Sequence, residues 1–491
     1  MLEVSGALDQ GSMKDGSRPS VDHYMNAETP SPLTRAILGR VVSMILALIA
    51  TAFTVQAESR PHLIIYLGDD HGIDFVGCYG NAAVKTPNLD KLATEGCRFT
   101  GVFAASPTCS PSRAVLWTGL HSARNGTMGN HTDCKPDLST LPHHLKKLGY
   151  RVVAANKTDV RPASIFPWEV LKATLPKNPA HARKYRAEGL DTAAVDRFLE
   201  EHTRTQPNTP LCLILGDNNP HVTWEPNRDF DPAALPLPPF LVDTPKTRTA
   251  LANYFQDIAT LDQRVGDVMK SLAKHGLAEK SLFIYTADQG PEWPHCKWTC
   301  YDTGLHVPFI ARWPGKIQPG STSQALISFV DVTPTLVDLA GGPALPQLDG
   351  RSFKEVLMGK ATKHRHEIFA SHTGDGEMNR CPQRGVRDAR YKFILNLHPE
   401  RKWTTHFTLV DGIPNSHRDV YATWLDKAAK DEATAKFISL IENHPAEELY
   451  DVQADPYELN NLAADPQHQR VLSAMRDKLH VWRDAVGDRS P

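Results

Sequence analysis

Cys109-Ser110-Pro111-Ser112-Arg113 places a sulfur nucleophile, two hydroxyls and a guanidinium within one short stretch. Pro111 suits the first turn of a helix, and Ala114, Val115 and Leu116 continue it. Cys109 then stands at a helix N-terminus, where backbone N–H groups favour a bound anion, with Arg113 one turn inside. A plain thiolate nucleophile and a merely buried cysteine are the alternatives. Two acidic clusters point to a companion cation: Asp69-Asp70 follows the apolar run HLIIYL, and Asp288-Gln289 follows Leu282–Tyr285. Adjacent carboxylates are hard to keep ionised together unless a cation compensates them. Three Asp and one Gln amide are hard oxygen ligands, which favour calcium or magnesium over zinc. Cys296 and Cys300 have a zinc-like C-x3-C spacing, but no second Cys/His pair completes such a site; in an oxidising compartment the two would form a disulfide.

Such residues need elements to position them. Buried strands are expected at His62–Leu67, Arg151–Ala155, Leu211–Leu215 and Leu282–Tyr285. Helices are expected at Asn88–Glu95, Leu141–Leu148, Thr192–His202 and Val332–Leu339. The clearest helix runs from Thr249 to His275, where Tyr254, Ile258, Leu261, Val265, Met269 and Leu272 share one stripe. This alternation predicts an α/β fold with a mostly parallel sheet flanked by helices, its functional groups beyond the strands' carboxyl ends. From about Glu367 the pattern changes to strand-like pieces at Ile368–Ala370 and Tyr391–Leu395. Helices follow at Thr434–Glu442 and Gln467–Trp482, predicting a smaller C-terminal α+β subdomain. The expected division is residues 1–57 as N-terminal extension and export signal, 58–365 as the catalytic domain, and 366–491 as the C-terminal subdomain.

Cys-x-Pro-Ser-Arg followed by Leu116-x-Thr118-Gly119 resembles the signature of the type I sulfatases. The resemblance runs from His62 to about Pro466 and includes Glu448-Leu449-Tyr450-Asp451 through Asp455-Pro456, and Asn461-Leu462-Ala463. Within that family the chain is most similar to the heparan N-sulfatase (sulfamidase) branch. The grounds are Leu120-His121 with Asn125-Gly126, the spacing to Lys157, Asn219-Pro220-His221, and Arg384-Gly385-Val386-Arg387 before Tyr391.

The resemblance implies an alkaline-phosphatase-like fold and a cysteine at 109 oxidised after translation to formylglycine, whose hydrate attacks sulfur. It further implies calcium held by Asp69, Asp70, Asp288, Gln289 and residue 109, with Arg113 orienting the hydrate. Lys157 and Lys297 would hold sulfate oxygens, and His221 would protonate the leaving oxygen or nitrogen. The chemistry agrees, because transfer of SO3 develops charge on oxygens that fixed cations and a proton donor must meet. Two positions depart from the family pattern. Asp159 stands where Lys-x-His is usual, so Asp159 becomes the expected base while adding negative charge near sulfate. Gln289 replaces a commoner asparagine or histidine.

Substrate contacts are expected from His372, Arg380, Arg384 and Arg387, a basic cluster suited to a uronate carboxylate or second sulfate. Trp168, Trp224 and Trp293 are candidates for stacking on sugars, with core packing the alternative. The expected substrate is a sulfated carbohydrate, N- or O-linked. The alternatives are a phosphonate monoester or phosphodiester hydrolase, and a non-catalytic sulfated-glycan-binding relative motivated by Asp159. A sulfatase-maturating enzyme is the implied protein partner.

Composition agrees with an enzyme of this kind. At 491 residues, 41% hydrophobic and 22% charged, the chain is globular, and its net charge of −2 argues against nucleic acid. Val41–Phe53 is apolar, follows Arg35 and Arg40, and leads to Val55-Gln56-Ala57. The run is too short to span a bilayer and has the form of an export signal, so no stable membrane span is expected and the protein is read as periplasmic, secreted or lysosomal. Sequons at Asn125, Asn130 and Asn156 would matter only on a eukaryotic secretory route.

Overall fold

His62–Gly68 is buried along its whole length, as befits a strand covered on both faces. In the computed structural model, which describes residues 60–172, 189–376, 378–405, 407–409 and 418–490, it lies in the middle of an eight-stranded sheet. The order is Glu169–Leu171, Arg151–Asn156, Leu211–Gly216, His62–Gly68, Ser281–Ala287, Phe309–Arg312, Cys97–Phe99 and Ser321–Ser323. The first five strands run parallel, and Phe309–Arg312 is antiparallel to both of its neighbours. The expected extension and export signal at residues 1–57 lie outside the described residues.

Side chains alternate across the central strand. Leu63, Ile65 and Leu67 join Ala114–Trp117, Leu141, Leu145 and Leu336 on one face. Ile64 and Tyr66 join Leu89, Leu92, Val195, Leu199, Leu261 and Val265 on the other. The expected 249–275 helix spans Pro245–Lys274, started by Thr244, whose hydroxyl accepts from the Thr247 N–H, and by Pro245 in its first turn.

Register brings the strand ends together. Gly68 pairs with Ala287, so Asp69-Asp70 and Asp288-Gln289 emerge side by side, with the Asp288 N–H on the Gly68 carbonyl at 3.1 Å. Leu67 and Asn156 both pair with Gly216. Lys157 therefore leaves beside the same point, and a Cβ at Gly216 would meet the Lys157 carbonyl oxygen at 1.9 Å. Only glycine allows that approach.

A second, antiparallel sheet is ordered Ile368–His372, Gln383–Arg387, Tyr391–Asn396 and Glu447–Asp451. The helix Gln469–Val486 packs Leu472, Met475, Leu479 and Trp482 onto its Val386, Phe393 and Leu449. Gln383–Arg387 and Glu447–Asp451 carry too few apolar residues to read as strands alone. Neighbouring strands and this helix supply their burial.

That sheet takes up three of the four residues of the expected substrate cluster. Arg384 is fully buried in an inner strand; its guanidinium pairs with Asp488 and donates to the His372 and Gln383 carbonyls and the Ser490 hydroxyl. His372 is buried against the Asn379 amide oxygen at 3.1 Å. Arg387 pairs with Asp302 at 3.0 Å and lies over the Phe103 ring. Strand alternation and pairing direct these three side chains into the fold. Burial works to raise the Asp488 pKa, but the Arg384 hydrogen bonds and charge outweigh it and bring it to about 2. Arg384→Met is therefore expected to cost about 3 kcal/mol of unfolding free energy at neutral pH. A depressed carboxylate stabilises above its unfolded pKa of about 3.9 and loses that contribution as pH falls through the folded value. The gap between wild type and variant in urea titrations should thus narrow between pH 4 and 2.

Candidate active site

The helix Cys109–Thr118 is buried at every position, and Cys109 is its first residue. The Ser110 N–H donates to the Asn130 amide oxygen at 3.2 Å, so Asn130 satisfies one of the unpaired first-turn donors. Ser112 donates its hydroxyl to the Asp288 carbonyl at 2.5 Å, which ties the helix to a strand end. Arg113 is fully buried, with Nε on Asp288 Oδ2 at 2.8 Å and Nη1 on the Lys157 carbonyl at 2.8 Å. Its Nη2 is buried without a hydrogen-bond partner, 3.7 Å from Asp69 Oδ1. Cys109 Sγ lies 3.5 Å from Asp69 Oδ1 and accepts from Gln289 Nε2 at 3.2 Å. Burial pushes this thiol well above its usual range, more than Lys157 and Lys297 pull it down. Unmodified, it is a poor nucleophile.

Asp69, Asp70 and Asp288 are fully buried and each offers an oxygen to one group within 4.8 Å. Burial raises the Asp288 pKa, the expected strain on carboxylates held together. Gln289 donates to Asp70 Oδ1, while its own Oε1 is buried without a partner. Turning that amide over puts its oxygen beside Asp70 and residue 109, an equivalent assignment for an amide. Three carboxylates and an amide oxygen seeking a partner fit a hard divalent cation.

Two lysines and a histidine face these acids. Lys157 Nζ bonds Asp69 Oδ2 at 2.5 Å, and Lys297 Nζ reaches Asp70 Oδ2 at 2.8 Å and Glu292 Oε2 at 3.1 Å. Burial works to lower both lysine pKa values, but Asp69 beside Lys157 and Asp70 beside Lys297 outweigh it and hold both above the usual range. Lys297 lies between His295 and Trp298, both left-handed with φ 66°, and its ammonium is buried against the acids. His221 is partly exposed, and its Nδ1 donates to the Val222 carbonyl at 2.6 Å. That leaves Nε2 facing Asp70 and Glu292, each at 3.7 Å.

A cavity of about 450 Å³ opens over this arrangement, lined by Asp69, His131, Lys157, Asp159, Asn219 and His221 among others. Of the acid set only Asp69 lines it, with Cys109 Sγ 3.5 Å from that carboxylate; His372, Arg384 and Arg387 do not line it. Trp224 and Trp293 pack on each other, ring centroids 4.8 Å apart, inside an apolar cluster, and Trp168 stacks on Phe166. Cys296 and Cys300 are buried free thiols, so the disulfide reading falls, and neither stands in a group of possible metal ligands among the described residues.

Sequence reasoning missed Glu292, Asn130 and His131. Glu292 follows the Asp288-Gln289 pair by only a few residues, so its acid was open to view. Asn130 and His131 reach the site through a loop that only tertiary contacts place.

Comparison with known proteins places this geometry. The sulfatase family profile matches residues 61–342, and the profile for the N-sulphoglucosamine sulphohydrolase C-terminal region matches residues 293–432. An ulvan-active sulfatase of Formosa agariphila is 34% identical over 436 residues, 88% of this chain and 81% of that protein. Human N-sulphoglucosamine sulphohydrolase is 26% identical, covering 87% of this chain and 90% of its own length. The phosphonate monoester hydrolase of Agrobacterium radiobacter shares the fold, with a TM-score of 0.64 at 19% identity over 87% of this chain and 96% of that one. An alkaline-phosphatase-like sheet and a family match over more than half of its length together make this chain a member of the sulfatase family, a sulfuric ester hydrolase of the sulfamidase-like branch.

Proposed function

We propose that the chain is an exported, calcium-holding, formylglycine-dependent sulfatase that removes N- or O-linked sulfate from a sulfated carbohydrate. The observation that carries this reading is the meeting of Cys109, three buried carboxylates and two inward lysines at one set of strand ends. Formylglycine at 109, made by a maturating enzyme, would supply a hydrated aldehyde nucleophile, and calcium would supply positive charge beside it. Asp69, Asp70, Asp288 and Gln289 would hold that ion together with residue 109. Arg113, anchored on Asp288, orients residue 109 and keeps Nη2 for its oxygens. Lys157 and Lys297 hold sulfate oxygens from two sides. His221, its ring fixed through Nδ1, carries a proton on Nε2 toward the leaving oxygen or nitrogen. Asp159 is the candidate proton acceptor on the opposite wall. Export rests on the signal-like N-terminus; among the described residues no helix is long and apolar enough to cross a membrane.

Peptide mass spectrometry of protein made with a maturating enzyme should find formylglycine at 109, with aryl sulfate turned over faster than an aryl phosphodiester. Cysteine at 109 beside a converted control sulfatase, or the opposite substrate ranking, would overturn the reading. Calcium added to metal-stripped protein should raise Tm, and Asp70→Ala should abolish that rise, because a ligand stabilises only the state it binds. A proton donor matters most for poor leaving groups. His221→Asn should therefore slow release from a sugar sulfate by about 10²–10⁴-fold and from 4-nitrophenyl sulfate much less. Equal losses on both would remove His221 from that role.

A further inference from the structure

The cavity wall beyond the lysines carries a charge of the wrong sign for a second anion. Asp159 turns into the cavity through a left-handed backbone (φ 47°), and neighbouring Asn156 and His131 are left-handed as well. Its Oδ1 accepts from the Ser110 hydroxyl at 3.0 Å, its Oδ2 lies 3.8 Å from Lys157 Nζ, and His131 Nδ1 stands 3.7 Å away. Burial works to raise its pKa, but His131, Lys157 and Arg113 outweigh it and hold the carboxyl well below the usual range, so it stays ionised. A second carboxylate, Asp375, accepts from Asn130 Nδ2 at 2.9 Å and Trp298 Nε1 at 2.8 Å on the far side of His131. Arg161 approaches this wall, its Nη1 3.5 Å from the His131 carbonyl. Of the arginines expected to receive a second anion, Arg384 and Arg387 are instead built into the C-terminal sheet.

We propose that Asp159 determines specificity, selecting a sulfated sugar with a hydroxyl or amine beside the cleaved sulfate and rejecting one with a second anion at that position. The inference rests on the sulfatase reading. An ionised carboxylate accepts hydrogen bonds from such donors, and a like charge against it costs binding energy; Lys157, which lines this cavity, is already paired with Asp69. His131 is a positioning residue here, holding the carboxylate toward the cavity.

The test measures binding by calorimetry to Cys109→Ala protein, with and without Asp159→Asn, using glucosamine N-sulfate and glucosamine N,3-O-disulfate. The protein with Asp159 should prefer the monosulfate, and Asp159→Asn should move the affinity ratio toward the disulfate by about tenfold. The kcat/KM ratio of wild-type enzyme on the same pair reads the preference without the variant. An unchanged ratio, equal weakening of both sugars, a wild-type preference for the disulfate, or no binding of either would overturn the proposal. Turnover of 4-nitrophenyl sulfate, which has no neighbouring group, separately judges the sulfatase reading.

Discussion

Three carboxylates with no exposed surface must share the ends of two adjacent strands, and the rest of the structure follows from keeping them there. Isolated, each buried carboxylate costs several kcal/mol. Asp69, Asp70 and Asp288 are matched by Arg113, Lys157 and Lys297, each within hydrogen-bond reach of one of them. The match is local. Arg113 comes from the helix after Cys109, Lys157 from a strand end and Lys297 from a turn, so three separate segments must arrive in register. The amide oxygen of Gln289 and Nη2 of Arg113 remain without hydrogen-bond partners, Nη2 standing 3.7 Å from Asp69.

Rigid surroundings hold this arrangement. The Tyr254 hydroxyl donates to the Asp70 carbonyl at 2.8 Å, and Arg264 pairs with Asp217 at 3.0 Å, so one long helix braces two strand ends. Asp70, His131, Asn156 and Asp159 are left-handed at the cavity. Such conformations cost about 1–2 kcal/mol for a residue with a side chain, least for Asn and Asp, and persist where packing over-determines them. The turns they make aim polar groups inward from strands that otherwise end in solvent.

The floor and the wall of the cavity then differ in character. Around residue 109 paired cations and carboxylates crowd together, with His221 beside them. The opposite wall carries Asp159, amides and a histidine. A small anion suits the first, and a hydrogen-bonding sugar ring suits the second. The basic residues of the second sheet stabilise that sheet instead, because inner strands bury a side chain on both faces and a buried guanidinium must find its carboxylate within the fold.

Local signals made much of the enzyme legible. Apolar runs ending in acids located the central strands, a single stripe located the long helix, and the stretch around Cys109 identified the family, because these depend on residue order alone. Arg384 was misassigned for the opposite reason: a charged residue in a strand reads as exposed until Asp488, over a hundred residues away, is seen beside it. His131 was passed over because nothing in its neighbours distinguishes it from a surface residue. The sequence by itself determined which chemical groups exist, the α/β order of the elements and the family to which they belong. Only the tertiary structure decided which charges meet, because pairing, burial and the direction of a side chain are set by contacts between segments distant along the chain.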